Sequence, residues 1–162
     1  MRAVRQALGV VLVLLCCVGC DQATKAAARA HLAAGAVHSF LGDTFRLELA
    51  QNPGAFLSLG ARLPPALRYE GFTIAVGGLV AALLVWALGA RQLHWRTRLA
   101  LALIGAGGLG NLIDRIRFAG VVTDFLNLGV GPLRTGIFNV ADAVLMAGLI
   151  GLLVGWSRGH ED

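Results

Sequence analysis

The residues of this chain that can do chemistry are few, and carboxylates dominate them. Asp21 and Lys25, Asn52, Asn111, Asp114 and Arg115, Asp124, then Asn139 and Asp142 interrupt a largely apolar sequence. Asp124 and Asp142 are the pair with catalytic potential. Peptide hydrolysis without a metal works with two carboxyl groups, one taking a proton from water while the other, protonated, donates to the scissile carbonyl. Two carboxyls held close in a low dielectric share one proton near neutral pH, so a single pair supplies acid and base together. His31, His38, His94 and His160 are isolated, with no His-Glu-x-x-His and no Cys/His cluster. That spacing argues against a zinc peptidase, and neither metal nor cofactor is expected. Ser58 with Lys25 offers an alternative, a membrane serine–lysine peptidase, although no sequence context singles Ser58 out. Gly105, Gly107, Gly108 and Gly110 lie inside an apolar run, where close helix packing explains them better than a phosphate-cradling loop does.

The elements that must position these groups follow from composition. With 57% apolar and 14% charged residues in 162, and a mean hydropathy of +0.72, the chain is expected to be membrane-embedded. A net charge of +5 raises the question of nucleic acid, but the basic residues are scattered and form no stripe with aromatics, so none is expected. Four apolar stretches stand out, Ala7–Cys20, Phe72–Ala90, Leu99–Ile113 and Ile137–Trp156, each compatible with a helix. The corresponding spans are about 7–25, 71–90, 98–115 and 137–156 of one polytopic domain, 1–162. Arg2, Arg5, Arg91, Arg96, Arg98 and Arg158 crowd the short flanks, whereas the other eight Lys and Arg are spread over two longer stretches. That density puts both termini in the cytoplasm and the long loops on the opposite side. In the first loop, about 35–70, Phe45-Arg-Leu-Glu-Leu49 alternates as a half-buried strand does, so a small sheet outside the membrane is expected. Ala66 to Phe72, after Pro64-Pro65, reads as an interfacial helix.

Span length sharpens the reading. The first run is short before Asp21, so Asp21 and Lys25 belong to the same continuous helix near the outer membrane surface. Asn139 and Asp142 fall in the first two turns of the fourth run, with Asp142 about 7 Å below Ile137 at 1.5 Å per residue. An intramembrane carboxylate is expensive and marks function when it faces a bundle interior. Asp124, by contrast, is placed in the loop after the third helix, where a turn or capping role is the alternative. Asp21 with Lys25 and Asn111 with Arg115 both stand at i and i+4, a spacing that serves helix stability and helix adhesion as well as a site. Arg115 can also meet lipid phosphate. A non-enzymatic four-helix protein, a transporter or assembly subunit, would leave both aspartates replaceable. Cys17-Val-Gly-Cys20 looks like a lipobox after a basic start. Cys17 in place of the usual Leu and the three further spans argue against the chain being a lipoprotein.

Across nearly its whole length the chain resembles the lipoprotein signal peptidases, also called type II signal peptidases. The resemblance rests on Asp21-Gln-Ala-Thr-Lys25, Asn52-Pro-Gly-Ala-Phe56, Gly107-Gly-Leu-Gly-Asn-Leu-Ile-Asp-Arg115, Gly120-Val-Val-Thr-Asp-Phe125 and Phe138-Asn-Val-Ala-Asp142. It implies an all-α membrane protein of four transmembrane helices with a small periplasmic β-cradle. The implied activity is aspartyl endopeptidase cleavage of a prolipoprotein just before its diacylglyceryl-modified cysteine, in the bacterial inner membrane. By the same resemblance Asp124 and Asp142 fall on the catalytic positions. Asp21, Lys25, Asn52, Gly54, Gly108, Asn111, Arg115, Asn139 and Ala141 fall on positions that shape or support the site. The partners expected are diacylglyceryl-modified prolipoproteins and membrane lipids, with the protein itself a monomer. Departures such as Asn52-Pro53 and Ala143 after Asp142 bear on substrate fit and leave the carboxylates untouched.

Overall fold

The computed structural model describes residues 2–54, 64, 69–90 and 92–158. Helix α1 runs Arg2–His31 without a break, about 45 Å at 1.5 Å per residue. It is followed by β1 (Val37–Phe40), β2 (Phe45–Asn52), a π-helical turn (Gly71–Ala75) that continues into α2 (Val76–Gly89), then α3 (Trp95–Arg117), β3 (Val122–Val130), β4 (Leu133–Arg134) and α4 (Val140–Arg158). Among the described residues, Val4–His31 and Trp95–Arg117 are long and apolar enough to cross a membrane, and Thr73–Gly89 and Val140–Val154 are shorter apolar helices. Ser58, residues 66–68 of the expected interfacial helix and His160 lie outside the described residues.

The molecule is polar inside and apolar outside at the helices. Val4, Leu8, Leu12, Leu15, Ile74, Leu79, Val85 and Leu153 are exposed, while Lys25, Asn139, Asp21, Asp114 and Asp124 are among the largest fully buried side chains. That inversion suits a bundle wrapped in hydrocarbon. Helix α3 is central, and its small residues explain how. A Cβ on Gly107 would collide with the Ala141 carbonyl oxygen, and one on Gly148 of α4 would lie 2.7 Å from that of Ala100. The two backbones therefore touch, as small residues permit in membrane helices. Arg98 closes the opposite end of the bundle, donating to the Ala87 carbonyl and, at 2.7 Å, to that of Ala90, which satisfies the last carbonyls of α2.

The four strands form one antiparallel sheet in the order β1-β2-β3-β4. The sheet is larger than the single strand that alternation revealed, because β3 carries Asp124 where sequence reading places a loop. Val122, Thr123, Asp124 and Phe125 are buried in succession, and this stretch pairs with β2 in a register that sets Ala50 opposite Asp124 and Asn52 opposite Val122. An irregularity between Leu47 and Ala50 re-aims the end of β2. The chain then returns past β3: Phe138 bridges Leu126, donating to its carbonyl at 2.8 Å. Helix α4 accordingly begins at Val140, three residues later than the apolar run suggests, since Phe138 is still held in extended pairing.

Candidate active site

The start of α4 gathers the site. Asn139 caps the helix: its Oδ1 accepts the Asp142 N–H at 2.9 Å, while Asp142 Oδ2 accepts the Asn139 N–H at 3.3 Å. This is a reciprocal capping box with Asp at the third helical position. Asp21 Oδ1 reaches across from α1 to accept the Ala141 N–H at 2.9 Å, so a second helix satisfies another of the free N–H groups. Asp142 thus lies in the first turn of α4, shallower than its sequence position suggests, and at the positive end of the helix dipole.

Asn139 also ties the two candidate carboxylates together. Its Nδ2 donates to Asp124 Oδ1 at 2.6 Å and to Asn111 Oδ1 at 3.0 Å. Asn111 Nδ2 in turn donates to Asp142 Oδ1 at 2.8 Å. The remaining oxygen of Asp124 accepts Asn52 Nδ2 at 2.9 Å. Asp124 and Asp142 are 2% and 5% exposed, so the reading of Asp124 as a capping residue in a solvated loop does not hold. Burial pushes the Asp124 carboxyl up to about 6. The hydrogen bond from Asn52 pulls against that, the Asp142 charge adds to it, and Asn139 and the Lys25 charge lower it again.

A second layer lies beneath. Lys25 is 0% exposed and its three N–H donors meet Asn111 Oδ1 at 2.8 Å, Asp21 Oδ2 at 2.9 Å and Asp114 Oδ2 at 3.5 Å. Asp114 also accepts the Thr123 N–H at 3.0 Å and Gln22 Nε2 at 3.0 Å, which fixes the strand backbone next to Asp124. Arg29 donates to Thr123 Oγ1 at 2.9 Å. On the other flank Arg115 Nη2 donates to the Gly54 carbonyl at 3.0 Å, and Asn52 Oδ1 accepts the Gly54 N–H at 2.9 Å, holding the chain as it leaves β2.

Of the residues singled out from sequence, Asp21, Lys25, Asn52, Gly54, Asn111, Arg115, Asp124, Asn139, Ala141 and Asp142 come together in this one network. Gly108 lies apart from it: a Cβ there would stand 2.5 Å from Val80 Cγ2, so it serves the contact of α3 with α2. The glycine that meets the polar cluster is Gly110, whose Cβ would lie 2.7 Å from Asp21 Oδ2. Gln22 and Thr123 were given no place in the site from sequence, and Asp114 was counted among the polar residues there without a role. Asp114 carried a signal, standing three residues after Asn111 on the same helical face; Thr123 contributes through its N–H to Asp114 and its hydroxyl to Arg29, neither of which a lone threonine in the sequence announces.

A family model described as signal peptidase (SPase) II matches residues 13–157. The lipoprotein signal peptidase of Desulforapulum autotrophicum is 38% identical over 149 residues, covering 86% of this chain and 88% of its own length. That of Sphingopyxis alaskensis is 40% identical over 128 residues, covering 75% and 72%. A solved bacterial membrane enzyme superposes with a TM-score of 0.81 at 25% identity over 93% of this chain and 88% of its own. With its fold matched by a solved membrane enzyme and its sequence matched almost end to end, the chain belongs to the signal peptidase II family of membrane peptidases.

Proposed function

We propose that the chain is an aspartyl endopeptidase that removes signal peptides from diacylglyceryl-modified prolipoproteins, cutting just before the lipidated cysteine, with Asp124 and Asp142 as the catalytic pair. The observation that carries the reading is the junction at Asn139, which bonds one carboxylate through its amide and the other through its backbone, both nearly inaccessible. In this mechanism the ionised carboxylate takes a proton from water, and the water oxygen attacks the peptide carbonyl carbon. The protonated partner donates to the carbonyl oxygen; the first carboxyl then passes the proton taken from water to the peptide nitrogen, the intermediate returns a hydroxyl proton to its partner, and the C–N bond breaks to release the amine of the cysteine. Asp124, held up at about 6, exchanges its proton close to neutral pH, as a group that must both take and give one does.

Four helices crossing the bacterial inner membrane, both termini in the cytoplasm and the site at the periplasmic face complete the proposal, with the enzyme a monomer among its lipids. The outward apolar surface of all four helices supports it, as does the density of arginine at Arg5, Arg96 and Arg98. The full set of partners around Lys25 weighs against its use as the free base of a serine–lysine dyad.

The test is cleavage of a diacylglyceryl-modified prolipoprotein and of its unmodified form by purified wild type, Asp124→Asn and Asp142→Asn in detergent. Wild type should cut only the modified form, and each Asn variant should fold yet lose turnover. Each single loss should be nearly as deep as the double, since the pair acts as a unit. Turnover by either Asn variant sinks the mechanism; cleavage of the unmodified substrate sinks the specificity.

A further inference from the structure

Both amides between the carboxylates have only one workable orientation, and for Asn111 two donors set it, Asn139 Nδ2 and the charged Lys25. Asn139 is fixed by the Asp142 N–H, a donor that its Oδ1 must accept. Asn111 Oδ1 accepts from Asn139 Nδ2 at 3.0 Å and from Lys25 Nζ at 2.8 Å, and an ammonium can only donate. The NH2 end of Asn111 is thereby left facing Asp142 Oδ1 at 2.8 Å. We propose that Lys25 is a positioning residue for the peptidase reaction, acting through Asn111 to keep an N–H donor on Asp142. The assignment rests on Asp124 and Asp142 being the catalytic pair.

The charges around Lys25 say what its loss does. Asp21 of α1 and Asp114 of α3 both turn an Oδ2 toward its ammonium, at 2.9 and 3.5 Å. Without that cation the two carboxylates confront the Asn111 carbonyl oxygen, Asn139 Nδ2 alone is left to hold it at 3.0 Å, and a flip of the amide trades that one neutral bond for bonds to two carboxylates. Its NH2 then points at Asp21 and Asp114, and its oxygen points at Asp142. The donor on Asp142 becomes an acceptor, which opposes the ionised state of the pair. The other charged groups facing the pair are Arg115 on α3 and the two carboxylates themselves, on β3 and α4; Lys25 is the cation bonded to the amide, and its charge also lowers Asp124.

The experiment is a double-mutant cycle on detergent-purified enzyme with diacylglyceryl-modified prolipoprotein: Lys25→Met, Asn111→Ala and the two together, with kcat, KM and the pH profile of kcat/KM. Lys25→Met should lower kcat about 10²-fold per folded molecule, as expected when a reacting group is misplaced, with KM unchanged and the acid limb moved to higher pH. Added to Asn111→Ala it should cost nothing more, because its path is already cut. Should Lys25→Met fail to fold with Asp21 and Asp114 left without their cation, Lys25→Met/Asp21→Asn is run in the same cycle with Asp21→Asn as reference. Full kcat with an unmoved pH profile, or a second full loss on top of Asn111→Ala, overturns the assignment. Asp124→Asn is measured alongside: its inactivity beside an unimpaired Lys25→Met sinks the role of Lys25 alone, whereas turnover by Asp124→Asn sinks the catalytic pair.

Discussion

Asp124 should make the protein less stable at the pH where it works, and Asp124→Asn should expose this as a stability difference that changes with pH. The carboxyl is raised in the folded protein from its ordinary 3.8 to about 6, so between those values the folded state binds more proton than the unfolded one. Stability from this group is therefore fully present below pH 3.8 and is lost as pH rises through about 6. The difference of about 2.2, at 1.36 kcal/mol each, comes to about 3 kcal/mol. The amide introduced by Asp124→Asn carries no charge and escapes that loss, but its NH2 must face a donor, either Asn52 Nδ2 or Asn139 Nδ2. A mispaired buried group costs about 1–3 kcal/mol. Near pH 3.5 the variant should then be about 1–3 kcal/mol less stable than wild type, and near pH 8 about 0–2 kcal/mol more stable. The assay is denaturant unfolding of both proteins in one detergent across that range. A stability difference that stays flat from pH 3.5 to 8 refutes the reasoning, because the hydrogen-bond term alone does not titrate.

Gly107→Ala should destabilise the protein by about 1–3 kcal/mol, read by thermal unfolding, since its methyl would collide with a backbone oxygen at the start of α4; a neutral result means the helices can slide apart freely. Gly108→Ala should be milder in the same measurement, its methyl meeting only the Val80 side chain. Asp43 is held well below the usual carboxylate range, first by its hydrogen bond from Arg46 and then by that from Ser39, and it also accepts from Arg134 across the sheet. Asp43→Ala should speed amide exchange in the β1–β2 and β3–β4 turns while leaving peptidase turnover intact; unchanged exchange counts against a tie between the two hairpins.

The helices were legible because hydrophobic run length is a one-dimensional signal, and the strand at Phe45–Leu49 because alternation is another. What failed to show was pairing. Val122–Leu126 has no alternation, being covered on both faces, and only its partner β2 turns it from loop to strand. The same long-range pairing at Phe138 delays the start of α4. Asp142, Asn139 and Asp21 could be placed near one another from their positions on helices, whereas the burial of Asp124 depends on a register that no local pattern encodes. Gly108 and Gly110 differ by two residues and so face different partners, Val80 and Asp21, a distinction that needs the helix rotations.

The capping box at Asn139 joins folding to chemistry in a way that constrains both. The hydrogen bonds that start α4 are made by the side chains of Asn139, Asp142 and Asp21, and two of those residues also reach toward the carboxylate pair. A helix N-terminus favours an anion by roughly 0.3–1 kcal/mol at exposed sites and more where partly buried. Here it faces the carboxyl of Asp142. At Asp124 the amides of Asn52 and Asn139 pull toward ionisation, while burial and the Asp142 charge push toward protonation. Neither influence removes the other, and a pair balanced between them can hold a single proton. The orientation of every amide in the network then matters as much as its presence, since one flipped Asn would tip that balance while leaving the fold intact.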